Sequence, residues 1–302
     1  MATSSARIDV LGLGCAAVDD VLYVPSFPER DGKAAVQRRV RRFGGLTGAA
    51  LVAAARLGAR CAYAGLLGTD ELSSAVRENF RREDIDVSHA PCIEDARVVH
   101  STIVVAQDDG ARAIFYECDG IIGPHPTLPH EDCVRGSSVL LIDHYGVPGA
   151  IRAARIARAA GAGVVADFED DRDPRFAELL GLVDHLILNA AFAQRISAKS
   201  NPADAAAALW SRDRTAVIVT CGAEGCWSVA AGGDRPRRHA VIPVKAVDTT
   251  GCGDVFHGAY AAALARGKPL EARIRFASAA AAFLASHSAF PRLADVSDAP
   301  PR

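Results

Sequence analysis

The chain has 302 residues, half of them hydrophobic and 23% charged, a composition that excludes wholesale disorder. Its 34 Lys and Arg against 36 Asp and Glu leave a formal net charge of −2, with no long-range pull toward nucleic acid or an acidic membrane. No apolar run approaches the roughly 20 residues that cross a bilayer, and no basic lead with a small-residue cleavage site marks a secretory signal.

Ile8–Leu13 reads as a buried strand. The stretch Val18–Arg42 mixes short alternating runs with Pro25, Pro28 and Gly32, which predicts an exposed β ribbon rather than a helix. After Gly44-Gly45 comes a small-residue helix, Ala49–Leu57, stopped by Gly58, then a strand at Ala62–Gly65 and a helix at Leu72–Glu83. Val98–Val105 and Ala113–Glu117 flank Asp108-Asp109-Gly110, a hairpin signal. From Val139 onward strands and helices alternate: Val139–Ile142, Gly149–Ala160, Gly163–Asp167, Phe176–Leu182, His185–Leu188, Ala190–Ile196, Ala203–Trp210, Val217–Thr220 and Cys226–Val229. That rhythm predicts an α/β fold, a central, mostly parallel sheet covered by helices on both faces. The ribbon and the hairpin break it, so residues 18–42 and 98–117 are expected to form a small β-sheet lid on a single domain spanning 1–302. Only Asp298–Arg302 reads as a loose tail.

Gly12-Leu13-Gly14-Cys15-Ala16-Ala17 imitates a dinucleotide fingerprint, but Asp19, Asp20 and two prolines follow where that motif needs a helix, so NAD binding is rejected. His125, His130, Glu131, Asp132 and Cys133 match no closed zinc spacing and read as an exposed loop. The eight scattered cysteines form no C-x-x-C pair, as expected of reduced thiols in a cytoplasmic protein. Glu169-Asp170-Asp171 lies just beyond a strand end, where ligands bind in open α/β sheets, though a solvated turn explains it equally well.

The informative string is Asp248-Thr249-Thr250-Gly251-Cys252-Gly253-Asp254, which runs into the apolar helix Phe256–Ala265. Glycines 251 and 253 permit tight backbone at a helix start, where unpaired N–H groups attract anions. Asp254 sets a carboxylate beside that anion hole, a poor choice for holding phosphate alone. It suits a base that takes a proton from a hydroxyl attacking a phosphoryl group. A helix cap accounts for one of these residues, not for the whole string.

The string resembles the C-terminal signature of the ribokinase (PfkB) family of ATP-dependent sugar kinases, Asp-Thr-x-Gly-Ala-Gly-Asp. Gly44-Gly45 with Ala49-Ala50 and Arg56-Leu57-Gly58-Ala59 is similar to that family's N-terminal signature, and Thr220-Cys221-Gly222-Ala223-Glu224-Gly225 to its nucleotide-binding turn. The resemblance runs from Val10 to about Val296. It implies a ribokinase-like fold, ATP and Mg²⁺ as cosubstrate and cofactor, and phosphorylation of a primary hydroxyl on a small sugar, sugar acid or polyol. Asp254 would be the general base, with Gly251, Cys252 and Gly253 the anion hole. Asp19, Lys33, Gly44, Gly45, Ala49 and Tyr116 would meet the acceptor. Asn189, Thr220, Gly222, Ala223, Gly225 and Ser278 would border the nucleotide. Asp248 and Thr250 match residues that hold a monovalent cation such as K⁺ in some members, although Ser286-His287-Ser288-Ala289 lacks the glycine usual in that loop. Lids of relatives commonly pair, which implies a homodimer.

Three departures bear on substrate and activity. Asn189 is followed by Ala190, Ala191 and Phe192, so the glutamate of the family's Asn-x-x-Glu is missing, as it is in ketohexokinase-like members. Ala49 stands where many sugar kinases keep an asparagine. The overall texture is nearest the ketohexokinase and sulfofructose kinase branch, yet Tyr116 and Tyr145 replace the Asn and Arg that surround a sulfonate there. The alternatives are a nucleoside kinase of the same fold, which an apolar pocket would suit, and a non-catalytic sugar- or nucleotide-sensing relative.

Overall fold

The computed structural model describes residues 7–108 and 111–297. Asp109 and Gly110 of the expected turn, and the expected tail at 298–302, lie outside them. In chain order the elements are β1 (Ile8–Leu13), β2 (Ala17–Val24), β3 (Arg38–Gly44), α1 (Leu46–Arg56), β4 (Cys61–Tyr63), α2 (Glu71–Arg82), β5 (Val99–Ala106) and β6 (Arg112–Glu117). There follow α3 (Glu131–Arg135), β7 (Ser137–Asp143), α4 (Val147–Ala159), β8 (Gly163–Asp167), α5 (Phe176–Gly181), β9 (His185–Asn189), α6 (Ala190–Ser197) and α7 (Pro202–Leu209). The chain closes with β10 (Ala216–Thr220), β11 (Cys226–Ala230), β12 (Gly233–His239), α8 (Cys252–Ala265), α9 (Leu270–His287) and α10 (Leu293–Ser297).

Eight strands form one sheet in the order β12-β11-β10-β9-β8-β7-β1-β4. The pairs from β10 to β4 are parallel, and β11 and β12 add antiparallel edges. Alternate residues of each strand enter different cores. Val10 packs with α1, α8 and α9 on one face, while Leu11 and Leu13 pack with α4 and the helices after it on the other. A sheet covered on both faces requires apolar residues at nearly every strand position, as these short runs supply. No helix among the described residues is long and apolar enough to cross a membrane.

The segments that broke the rhythm form a separate four-stranded sheet, β3-β2-β5-β6. Its centre is a parallel β2–β5 pair, flanked by antiparallel β3 and β6. Several features differ from expectation. The stretch expected as an exposed loop at 125–133 enters α3, and Cys133 is buried against the core. β12 was not anticipated because its sequence is charged and carries Pro236, both tolerated on the edge position that it takes. Ser286 and His287 belong to the last turn of α9, and Ser288, at φ +51°, and Ala289 lie beyond it.

Candidate active site

α8 is capped by Gly251, whose left-handed conformation (φ +78°) turns the chain into the helix and leaves its first-turn N–H groups without helical partners. The Cys252 N–H bends back to the Thr249 carbonyl at 3.3 Å. The Cys252 thiol points away, donating to the Ala281 carbonyl of α9 at 3.6 Å, and burial pushes it up to about 11. A Cβ at Gly253 would meet open space, so that position is free to receive a ligand. Asp254 follows in the same turn and faces two adjoining cavities. Burial raises its carboxyl well above the ordinary range, and the negative field of Asp167, Glu169, Asp19 and Asp143 raises it further.

The larger cavity, of about 980 Å³, lies between the small sheet and the carboxyl ends of the main strands. Asp19, Ser101, Ile114 and Tyr116 of the small sheet line it, facing Leu46, Tyr145, Glu169, Asp170 and Arg172. Asp19, Ser101 and Tyr116 stand side by side in register on β2, β5 and β6. Burial raises the Asp19 carboxyl, and the Ser101 hydroxyl and the Arg42 guanidinium partly counter this. A Cβ at Gly44 would sit 2.9 Å from Asp19 Oδ2, and one at Gly45, which adopts φ +86°, would sit 2.7 Å from Ala16 Cα. Both glycines are thus needed for the chain to pass the carboxylate and enter α1. The smaller cavity, of about 330 Å³, shares Asp19, Gly45 and Asp254 and extends past Ala49 to Arg42 and Asp248.

Lys33 does not join the site. It is exposed in the loop between β2 and β3 and lines neither cavity. That loop leaves the ribbon beyond Tyr23 and Arg38, four residues along the strand from the Asp19–Arg42 pair, about 13 Å away at strand rise. Arg172 and His144 line the large cavity instead. The acidic run divides. Glu169 and Asp170 line the cavity, Asp171 pairs with Arg195 at 2.9 Å, and Arg172 holds the Asp170 carboxyl down to about 2.

Asp143 escaped the sequence reading. It ends β7 with no solvent exposure and accepts the Cys15 N–H at 2.7 Å, the Thr47 hydroxyl at 2.8 Å and the Tyr145 N–H at 2.9 Å. It thereby ties the end of β1, the first turn of α1 and the Tyr145 loop beneath the large cavity. The available signal was its position one residue past a predicted strand, the argument already applied to Glu169.

Asn189 and Thr220 end neighbouring strands and are paired in register. The Asn189 side chain caps α6 through the Phe192 N–H at 2.8 Å, and its amide lies 3.5 Å from Glu169. Beyond Thr220, Gly222, Ala223 and Glu224 make one 3₁₀ turn closed by Gly225. Ser278 is half-buried on α9, one turn before the carbonyl that receives the Cys252 thiol. Asp248 and Thr250 are already engaged. Asp248 accepts Arg42 at 3.0 Å, the Ser288 hydroxyl at 3.2 Å and the Thr250 N–H at 2.9 Å. Although burial raises the Asp248 carboxyl, the Thr250 bonds and Arg42 bring it to about 2. The Thr250 hydroxyl accepts Arg112 at 2.5 Å. Guanidinium groups from both edge strands of the small sheet therefore occupy the oxygens expected to hold a monovalent cation, and this donor set does not fit K⁺.

Glycine-rich backbone at a helix start, a half-buried aspartate in its first turn and a sheet roofing the cavity above them are the marks of a phosphotransferase acting on an alcohol. The family model described as pfkB family carbohydrate kinase matches residues 7–290, and the chain belongs to that family. It is an ATP-dependent kinase with a ribokinase-like fold. It is 28% identical to a ribokinase of Haemophilus influenzae over 282 residues, covering 89% of this chain and 90% of that one. Identity to a nucleoside kinase of Methanothermobacter thermautotrophicus is 25%, covering 91% and 89%. The structure of Arabidopsis thaliana ribokinase complexed with ribose and ATP superposes with a TM-score of 0.84 at 22% identity, covering 97% of this chain and 98% of that one.

Proposed function

We propose that the chain transfers the γ-phosphoryl group of ATP to a primary hydroxyl of a small sugar, sugar acid or polyol. The observation that carries this reading is Asp254, a half-buried carboxyl in the first turn of α8 that faces both cavities beside N–H groups without helical partners. Asp254 takes the proton of the attacking hydroxyl. The backbone of Gly251–Gly253 meets the charge spreading over the transferring group. Asp19 and Ser101 orient the acceptor, with Gly44, Gly45, Ala49 and Tyr116 shaping its pocket. Thr220, Gly222, Ala223, Gly225 and Ser278 border the nucleotide, and Asn189 acts with Glu169 at its phosphate end.

Among the described residues no group of three or more His, Cys, Asp or Glu forms a metal cage. Glu169, one of the carboxylates lining the cavity, lies beside the Asn189 amide, which suits Mg²⁺ held mostly by phosphate oxygens and water. Bound there, the metal would neutralise charge on the phosphates, and Glu169 stands in for the glutamate missing after Asn189. The whole chain works as one kinase domain with the small sheet as its lid, and closure excludes water as a competing acceptor. The outer lid surface exposes Phe115 at 64%, and two lids pairing into a homodimer would cover it. All eight cysteines are free, in keeping with the reducing cytoplasm.

A panel of sugars, sugar acids, polyols and nucleosides, read by phosphoryl transfer and by thermal shift with a non-hydrolysable ATP analogue, tests the reading. Transfer to none of them, with no ligand-dependent stabilisation, would overturn it. One observation favours a nucleoside acceptor as the second reading. A cavity of about 980 Å³ walled by Leu46, Ile114 and Tyr116 has room and apolar surface for a base.

A further inference from the structure

His257 lies in the second turn of α8, with its side chain only 4% exposed, and no sequence motif assigned it a role. Its ring meets three oxygens. Nδ1 is 2.8 Å from the Gly253 carbonyl and 3.1 Å from Asp167 Oδ2, and Nε2 is 3.0 Å from the Ile187 carbonyl. A carbonyl oxygen only accepts, so each of those two contacts needs a proton on the ring nitrogen that makes it. A neutral imidazole carries one such proton and would leave a lone pair pressed against an oxygen in a dry interior. The geometry is that of a buried imidazolium, balanced by the Asp167 carboxylate.

The three oxygens belong to three different elements. Gly253 is in the anion-hole turn of α8, Asp167 ends β8, and Ile187 lies in the middle of β9. The ring is therefore a strut between the catalytic turn and two central strands of the main sheet. It also sets a positive charge within a crowd of carboxyls, namely Asp167 in contact with it and Asp143, Glu169, Asp19 and Asp254 around them. We propose that His257 is a positioning residue for phosphoryl transfer, its doubly protonated ring fixing the Gly253 turn against β8 and β9 and keeping a cation beneath the site where Asp254 works. This inference rests on the kinase reading only for its kinetic consequence; the state of the ring can be measured without any substrate.

The test has two arms. In the unliganded wild-type protein, ¹⁵N-histidine NMR, with the His257 signals identified by their loss in His257→Asn, should report protons on both ring nitrogens at pH 7.5. A ring carrying one proton there overturns the proposal, whether or not any acceptor is found. In the kinetic arm, transfer from ATP and Mg²⁺ to the best acceptor of the panel should fall roughly 10- to 100-fold in kcat for His257→Leu, the loss expected when a reacting group is slightly misplaced. KM for ATP should stay within a few-fold, and His257→Gln, which restores one donor, should recover part of kcat. Wild-type kcat in His257→Leu, or equal losses in the Leu and Gln variants, would also overturn it. Should the Leu variant fail to fold, the NMR arm on the wild type still decides. A panel with no acceptor at all would remove the kinase reading and leave the ring measurement standing.

Discussion

The two sheets face the same cavity and are built on opposite terms. β7 is buried at nearly every position on both faces, whereas β6, across the cavity, is exposed at nearly every position. The main sheet gains its stability from apolar burial on each side, while the small sheet is tied over the site partly by polar contacts from Arg42 to Asp248 and from Arg112 to Thr250. Groups that stabilise a transition state need fixed positions, and groups that admit and release substrates need weaker attachments. In the proposed reading the anion hole and Asp254 stand on the first kind of structure, and Asp19, Ser101 and Tyr116 on the second.

Substitutions can break that division of labour. The largest effect is expected at the rigid wall, where Asp254→Asn should lower kcat by about 10²–10⁴-fold, the usual span for a general base. Calorimetric titration with ADP should find nucleotide binding unchanged. On the small sheet, Asp19→Ala should act mainly on acceptor binding. Losing a buried hydrogen-bond partner costs about 1–3 kcal/mol, so acceptor KM should rise about 5- to 150-fold while KM for ATP stays put.

The carboxyl field sharpens the contrast through pH. Asp254 must be ionised to accept a proton, and its folded value is raised, so kcat/KM should fall with acidification at a pH well above 3.8. A carboxyl raised by folding binds its proton more tightly folded than unfolded. The stability that this confers is present below 3.8 and lost as pH rises through the folded value. Asp254→Asn should therefore melt higher than wild type at pH 7.5, by about 2–4 °C per kcal/mol relieved, with the gain vanishing near pH 3. The smallest effect belongs to the ties. Arg42→Ala with Arg112→Ala should cost about 0–1 kcal/mol of stability per contact and slow turnover a few-fold. Wild-type turnover should be indifferent to exchanging K⁺ for Na⁺; a strong K⁺ requirement would show that the guanidinium groups do not fill that place.

The main sheet was legible because its strands are short apolar runs separated by regular helices, and β8 matches its predicted bounds, Gly163–Asp167. The glycine-led start of α8 was legible because seven consecutive residues carry its motif. Features assembled across the chain were not. Asp143 meets Cys15 from 128 residues away, Arg42 meets Asp248 from 206, and His257 meets Ile187 from 70. Lys33 was named on the resemblance alone, and the structure places it exposed beyond the far end of the ribbon, lining neither cavity. Helix α9 went unassigned because its alanine-rich run lacks the polar-apolar alternation that marks a helix face.

The chain passes between the two sheets four times, and these passages lie against one another. Gly45 rests on Ala16, Val99 N–H donates to the Ala16 carbonyl at 3.0 Å, and Arg97 N–H donates to the Ile121 carbonyl at 3.1 Å. For the proposed lid, such a bundle of crossings would serve as the hinge, and displacement about an axis grows with the lever arm. Asp19, Ser101 and Tyr116 sit two or three residues from it and barely travel. Tyr23, Arg38 and Arg112 lie about 13 Å farther out and sweep the widest arc. If the small sheet closes as proposed, the acceptor wall would stay nearly in place, while the free end of the same sheet, where Arg112 meets Thr250 in this structure, would travel farthest.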